Sequence, residues 1–263
     1  MKIDIVEVEE PALSAPLIIC GLPGSALVGK LAVDHLIEEL PAEQMAEIYL
    51  DGTSPQVFVE KNGTVSSLNN DLYYWKSRIK GVPDIVLFTA DAQPTVQESE
   101  YRLSEVVIDY VQQKYKASKI ITLGAYVTGG FTTNPKVYVA GTDASLAQDA
   151  FSKGCDIMRE GTITGMNGIL LGIAKLKDMN GYALLGETSG YALDPKASKA
   201  LLIMLEKLIG VKVDMKELEE RAKEAESVLQ SVETLRRQQQ GGNDPGESSS
   251  EGEADRKKLG YIS

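Results

Sequence analysis

The chain is short of the residues on which hydrolytic and metal-dependent catalysis usually depends. Its 263 residues include one histidine, His35. Histidine is the commonest general base and metal ligand near neutral pH, so a single one excludes an HExxH motif and any multi-histidine zinc site. A Ser-His-acid triad would have to use His35. That residue lies in the amphipathic pattern VDHLIEEL, which is typical of a partly buried helix residue.

Cysteine and long apolar runs are also scarce. Cys20 and Cys155 show no CxxC spacing, so we expect two buried thiols in a reducing compartment, with a disulfide as the alternative. No apolar run approaches the roughly 20 residues that a membrane span needs. The first residues, MKIDIVEVEE, are acidic where a signal peptide would be basic. We therefore expect a cytoplasmic protein that does not enter a membrane.

Basic residues are outnumbered, 27 against 38 acidic ones, which gives a net charge of −11. Binding to a nucleic-acid backbone depends on lysine and arginine displacing counterions from phosphates. We therefore expect no nucleic-acid partner. Hydrophobic residues make up 43% of the chain, which is enough for a sizeable core.

Apolar runs of strand length alternate with helical patterns over most of the chain. Strands are predicted at 3–8, 17–20, 45–50, 55–60, 64–68, 84–91, 119–127, 136–142 and 182–188. The first three runs after the first helix, 45–50, 55–60 and 64–68, look like a β-meander with an Asn62-Gly63 turn. Helices are predicted from Ser25, at 98–115, at 143–151, at 167–177, and from Asp194-Pro195 to Gly210. This order predicts a three-layer α/β/α domain over residues 1–213 with a largely parallel sheet.

The last 50 residues have a different composition. Residues 214–237 carry apolar residues at 4-3-4-3 spacing, beginning at Leu218, which predicts an amphipathic helix. This helix either folds back on the domain or pairs with another subunit or partner. Residues 238–263 have almost no large apolar side chains until the end, so we expect a flexible tail.

The tail ends in a small apolar and aromatic cluster, which is the predicted partner-binding motif: Leu259, Tyr261, Ile262 and Ser263. A short motif on a flexible tether is a common way to offer a ligand to a pocket elsewhere. A tether of about 20 residues lets the tip search a radius of roughly 25 Å.

One segment resembles a phosphate-binding loop. Gly24–Leu31 reads GSALVGKL and matches GxxxxGK between a predicted strand and helix. The hydroxyl residue that should follow Lys30 to hold Mg²⁺ is replaced by Leu31. The candidate ligand-binding residues of this segment are Gly21, Gly24, Gly29 and Lys30. The alternative interpretation is that the glycines permit close helix–sheet packing.

Two carboxylates follow or end predicted strands, where clefts of α/β proteins usually lie. Asp91 ends DIVLFTAD, and Glu187 lies near the end of YALLGET. They could line a ligand site, or they could cap neighbouring backbone groups.

Five segments occur together in an order that resembles the proteasome assembly chaperone family in its archaeal form. They are 21–36 (GLPGSALVGKLAVDHL), 89–95 (TADAQPT), 129–138 (GGFTTNPKVY), 161–174 (GTITGMNGILLGIA) and 184–198 (LLGETSGYALDPKAS). The resemblance covers roughly residues 1–235.

The resemblance implies a fold similar to nucleoside phosphorylases without their active site. It implies a homo-oligomer and a partner in the α-subunits of the proteasome core particle. We expect no catalytic residue, no cofactor and no metal. Family members often end in a hydrophobic–tyrosine–any tripeptide that enters pockets between α-subunits. Here Tyr261 is third from the end, so the register is shifted by one. The alternative function is a nucleotide or small-molecule binder, or an ATP-grasp-like enzyme, that uses Gly24–Lys30.

Overall fold

The computed structural model describes residues 2–225 and residue 227. Within that part the strands are β1 (Ile3–Glu7), β2 (Leu17–Gly21), β3 (Glu43–Leu50), β4 (Val57–Val59), β5 (Val65–Ser67), β6 (Asn70–Trp75), β7 (Ile85–Ala90), β8 (Lys119–Val127), β9 (Val137–Gly141), β10 (Asp156–Ile157) and β11 (Asn180–Thr188). The helices are α1 (Val28–Glu39), α2 (Gln97–Tyr115), α3 (Ala144–Ser152), α4 (Gly165–Leu176) and α5 (Pro195–Ile209). A further helix, α6, covers 216–225. None of these described helices is both long and apolar enough to cross a membrane.

A nine-stranded sheet forms the middle layer, in the order β1-β3-β6-β7-β2-β8-β11-β9-β10. The four central strands β7, β2, β8 and β11 are parallel; Leu17 of β2 lies beside Ile85 of β7 and Lys119 of β8. The strands β1, β3 and β6 on one side, and β9 on the other, pair antiparallel to their inner neighbours. The α/β prediction is confirmed, but the sheet is mixed and parallel order dominates only its centre.

Helices cover both faces of the sheet, as predicted for a three-layer domain. α2 and α4 pack on one face over a core that includes Phe88 and Leu103. α1, α3 and α5 pack on the other face over Ile19 and Leu87. The central strands are buried on both faces because their middle residues are apolar; β7 (IVLFTA) has no exposed residue, and the exposed residues of β8 and β11 are their first ones, Lys119 and Asn180.

The predicted meander at 45–68 is wrong in its pairing. β3 pairs with β1 and β6, whereas β4 and β5 form a separate two-stranded sheet. The Asn62-Gly63 turn of that hairpin is confirmed, with Gly63 at a φ of +83°. All three residues of β4 are exposed, so its apolar run marked a strand without specifying the partner. The strands β6 and β10 were not predicted, since Asn70 and Asp71 disfavour strands and β10 has two residues.

The start of α1 also differs from the prediction. Ser25 belongs to a single 3-10 turn, and the α-helix begins at Val28 with Leu27 at its N-cap position. At α5 the prediction is confirmed: the Asp194 side chain accepts a hydrogen bond from the Ala197 amide, and Gly210 ends the helix at a φ of +78°. Both cysteines are buried free thiols, as expected.

α6 folds back on the domain through the first part of its apolar stripe. Leu218 and Ala222 are buried, and Leu218 joins the core beneath α1 and α5. Lys199 of α5 and Glu219 of α6 form an ion pair of 2.6 Å. The remainder of the predicted helix, 228–237, lies outside the described residues.

Candidate functional site

The glycines of the GxxxxGK segment bring α1 into direct backbone contact with the sheet. Gly21 ends β2, and a Cβ at this position would collide with the carbonyl oxygen of Gly29. A Cβ on Gly29 would collide with the carbonyl oxygen of Leu123 in β8. Both glycines therefore permit a helix–strand approach that no other residue allows. This supports the packing interpretation of the motif.

The loop between β2 and α1 has an unusual backbone. The carbonyl of Gly24 accepts a hydrogen bond of 3.0 Å from the Leu27 amide. Ala26 and Leu27 have φ values of +54° and +52°, in the left-handed region that non-glycine residues rarely adopt. The segment before α5 holds them, because the Asp194 amide donates to the Ala26 carbonyl at 3.1 Å.

Lys30 points to side chains of its own domain. Its Nζ lies 2.8 Å from Asp34 Oδ1 and 3.2 Å from Thr89 Oγ1. Only 20% of the lysine side chain is exposed. In a phosphate-binding loop the lysine would reach the β- and γ-phosphates from the start of the helix. Here its charge is balanced by a carboxylate one helical turn along.

Carboxylates gather on the same face of the sheet, beyond α1. The pKa of Asp71 is raised to about 6, chiefly by burial and also by the charges of Asp91 and Glu47, while a hydrogen bond from Gln44 and the charge of Lys30 oppose the shift. Gln44 Nε2 donates to Asp71 Oδ1 at 3.1 Å. These groups lie on β3, β6 and the end of β7, so this corner is acidic and partly desolvated.

The two strand-end carboxylates do not converge on one cleft. Asp91 Oδ2 accepts a hydrogen bond of 2.9 Å from the Asn69 amide, at the end of the β6–β7 pair. Glu187 Oε2 accepts one of 3.1 Å from the Lys136 amide, beside β9. The strands β2 and β8 lie between β7 and β11. At the usual strand spacing, β7 and β11 are therefore about 14 Å apart. Each carboxylate has a local backbone partner.

Gln93 bridges the crevice where parallel α/β sheets usually bind ligands. Its Nε2 donates to the carbonyl of Pro23, in the loop after β2. Its Oε1 accepts a hydrogen bond of 2.9 Å from the Met166 amide, in the first turn of α4. One side chain therefore joins three segments at the carboxyl ends of the central strands. No sequence pattern predicted this role.

An exposed apolar surface lies near the carboxyl ends of β8 and β11. We call it the edge patch; it consists of Phe131, Tyr191 and Leu193, which are 60%, 77% and 53% exposed. The rings of Phe131 and Tyr191 lie 6.3 Å apart between centroids. Large apolar side chains that are exposed together often mark an interaction site.

A cavity of about 140 Å³ lies beside the edge patch. Its walls come from the loop after β8, the segment before α5, and α6, which contributes Ala222 and Ala225. Lys196 and Asp194 give it charged groups of both signs. This site was not predicted from the sequence, although its loops lie in two segments of the family resemblance, 129–138 and 184–198. An aromatic residue in each loop was the available signal.

The predicted docking residues Leu259, Tyr261, Ile262 and Ser263 lie outside the described residues. Their role therefore remains a prediction from the sequence.

The model of the PAC2 family matches residues 18–233 of the chain. Among curated proteins, the uncharacterized protein MJ1210 of Methanocaldococcus jannaschii is 34% identical over 226 residues, which cover 85% of this chain and 84% of that protein.

Two solved structures from Pyrococcus furiosus are similar over most of the chain. PbaB, described as an archaeal proteasome activator, is 39% identical with a TM-score of 0.83, over 88% of this chain and 98% of PbaB. PbaA, described as an archaeal homolog of proteasome-assembly chaperone, is 26% identical with a TM-score of 0.73, over 90% of this chain and 96% of PbaA.

Proposed function

Because the chain belongs to the PAC2 family, we propose that it is a non-catalytic factor that binds the proteasome core particle as an assembly chaperone or activator. The observation that carries the proposal is the similarity to PbaB, at 39% identity and a TM-score of 0.83. The similarity covers 88% of this chain and 98% of PbaB.

The edge patch is the proposed globular contact with the α-subunits. Phe131 and Tyr191 are rigid aromatic groups beside a cavity, which is the arrangement found at the energetic centres of protein interfaces.

The C-terminal residues are the proposed second contact. Tyr261 supplies a ring and a hydroxyl, Leu259 and Ile262 supply apolar contact, and Ser263 supplies the terminal carboxylate. Such a short motif binds weakly by itself. A homo-oligomer that presents several tails to a ring of equivalent pockets gains by effective concentration, so we propose an oligomer as well.

A non-catalytic role, without a cofactor, is supported by the arrangement around the GxxxxGK segment. Lys30 pairs with Asp34, Gly21 and Gly29 permit backbone packing, and Gln93 bridges the crevice. A role on the core particle also agrees with the cytoplasmic location that we propose.

The experiment is binding to a purified archaeal core particle, measured by surface plasmon resonance with the intact chain and with a variant that lacks Tyr261, Ile262 and Ser263. We expect the intact chain to bind and the deletion to weaken binding at least tenfold. The control is Ser249→Ala, which alters the tail without touching its tip and should leave affinity unchanged.

Each outcome separates the parts of the proposal. Equal binding of the intact and shortened chains would overturn tail docking and leave recognition to the globular surface. At about 100 µM, even a weak complex with a binding free energy of about −5.5 kcal/mol would form. If the intact chain does not bind at that concentration, the core-particle assignment is overturned.

A further inference from the structure

α1 and the start of α6 meet at the one histidine of the chain. His35 is only 3% exposed, and its Nε2 lies 2.6 Å from the backbone carbonyl oxygen of Asp214. A carbonyl oxygen accepts hydrogen bonds and cannot donate them, so Nε2 carries the proton. The lone pair therefore resides on Nδ1, and the ring is held in one orientation.

Two glutamates from the two helices lie next to this ring. A ring nitrogen of His35 and carboxylate oxygens of Glu38 and Glu217 all lie within 4.8 Å of one another. Glu38 is one turn further along α1, and Glu217 is in the first turn of α6. Both glutamates are exposed, and Glu217 also pairs with Arg221 through Oε1 at 2.5 Å.

We propose that His35, Glu38 and Glu217 form a binding site for a divalent transition-metal ion of the Zn²⁺ type. One imidazole nitrogen and two carboxylate oxygens are a ligand set that Zn²⁺ accepts, with water in the remaining position. Mg²⁺ and Ca²⁺ prefer oxygen ligands alone.

The buried and exposed members of the site have complementary properties. Because Nε2 donates to the carbonyl of Asp214, Nδ1 is the nitrogen that would bind the ion. A hydrogen bond from the other ring nitrogen to a backbone carbonyl is the usual outer-shell arrangement of a metal-binding histidine. The exposed glutamates can close from 4.8 Å to the separation of about 3.3 Å that bonds of about 2.0 Å in a tetrahedral site require.

The metal would connect two elements that are distant in sequence. α6 is otherwise attached through Leu218, through Ala222 and through the Lys199–Glu219 ion pair. An ion shared by α1 and α6 would fasten the first turn of α6 to α1. This proposal does not depend on the proposed function.

The sequence analysis predicted no metal site, because a single histidine excludes multi-histidine sites. In the structure, the turn at Asp214 brings Glu217 close to His35 and Glu38 on α1. His35 and Glu38 alone are an ordinary one-turn pair on a helix, and only the fold adds the third ligand.

The test uses the full-length protein after treatment with EDTA. Zn²⁺ is added, and binding is measured by isothermal titration calorimetry together with the thermal midpoint. We expect one strong equivalent per chain and a rise of about 5–10 °C when free Zn²⁺ is about 100 times the Kd. We also expect slower amide hydrogen exchange in residues 215–219.

Three variants decide between this site and scattered surface binding. Glu38→Gln and Glu217→Gln should each weaken the strong site at least tenfold and remove the protection of residues 215–219. Glu220→Gln, an exposed glutamate of α6 outside the cluster, should behave as the unchanged protein. Absence of strong Zn²⁺ binding, or equal binding in all three variants, would overturn the proposal. Loss in Glu38→Gln alone would also overturn it, because the ion would then not join α1 to α6.

Discussion

The loop from β2 into α1 and the edge patch lie at the same edge of the sheet, but sequence and structure rank them in opposite order. The first carries a recognisable motif, and its backbone atoms pack so closely on β8 that no side chain fits at Gly29. The second carries no ligand-binding motif, although its loops belong to two segments of the family resemblance, and it exposes Phe131, Tyr191 and Leu193 beside a cavity. A spacing pattern can therefore record a packing requirement, whereas an exposed apolar surface can lie in loops that carry no ligand-binding pattern.

The largest effect is expected at Gly29. Gly29→Ala places a methyl group against the Leu123 carbonyl oxygen, where only backbone movement could relieve the overlap. We expect a loss of about 3 kcal/mol in the free energy of unfolding, measured by urea denaturation.

Gly172→Ala is the matched control for this substitution. Gly172 is an exposed residue within α4, and a Cβ there meets nothing within 4 Å. Gly172→Ala should raise the free energy of unfolding by about 0.5–1 kcal/mol, since alanine is the better helix former. Unchanged stability of Gly29→Ala would contradict the packing role of the motif.

An intermediate effect is expected at the edge patch. Phe131→Ser and Tyr191→Ser should each weaken binding to the core particle at least tenfold, which is about 1.4 kcal/mol. Because both side chains are largely exposed, the free energy of unfolding should change by less than about 0.5 kcal/mol.

Leu176→Ser provides the control for the edge patch. Leu176 is 85% exposed at the far end of α4, so the change removes a similar apolar side chain from another surface. Its affinity should equal that of the unchanged protein. If Leu176→Ser weakened binding as much as Phe131→Ser, the edge patch would not be the contact.

The smallest effect is expected at Asp71, in the acidic corner near Lys30. Burial raises its pKa to about 6, against about 3.9 in an unfolded chain. Between these two pKa values the folded state binds more protons than the unfolded chain. The contribution of Asp71 to stability is therefore fully present below pH of about 4 and is lost as the pH rises through about 6. Asp71→Asn should raise the free energy of unfolding by about 1 kcal/mol at pH of about 7.5, after allowance for the partial exposure of Asp71. At pH of about 4 it should leave the free energy of unfolding unchanged.

Urea denaturation at the two pH values measures this difference. Glu160→Gln, which removes one exposed acidic charge elsewhere, should show no comparable gain at the higher pH. A variant Asp71→Asn that is no more stable than the unchanged protein at the higher pH would contradict the desolvation of this carboxyl group.

The sequence was sufficient for elements whose signals are local. The buried strands of the centre and the Asp194-Pro195 start of α5 follow from apolar runs and capping chemistry within a few residues. The pairing of β3 with β1 and β6, the bridge made by Gln93, and the approach of Glu217 to His35 depend on contacts between distant segments. Periodicity carries no information about such contacts.

The same distinction applies to the candidate site. The spacing of Gly24, Gly29 and Lys30 could be seen in the sequence, but whether a phosphate has room depends on the distance from α1 to β8 and on the position of Asp34. The edge patch arises because loops that follow β8 and β11 meet in space.

The most direct test of the account is binding of the full-length chain to a purified archaeal core particle, with and without ATP and Mg²⁺. The account predicts saturable binding whose affinity is the same in both conditions, and no rise in thermal midpoint when the nucleotide is added to the chain alone. A chain that does not bind the core particle, and that ATP and Mg²⁺ stabilise, would contradict it.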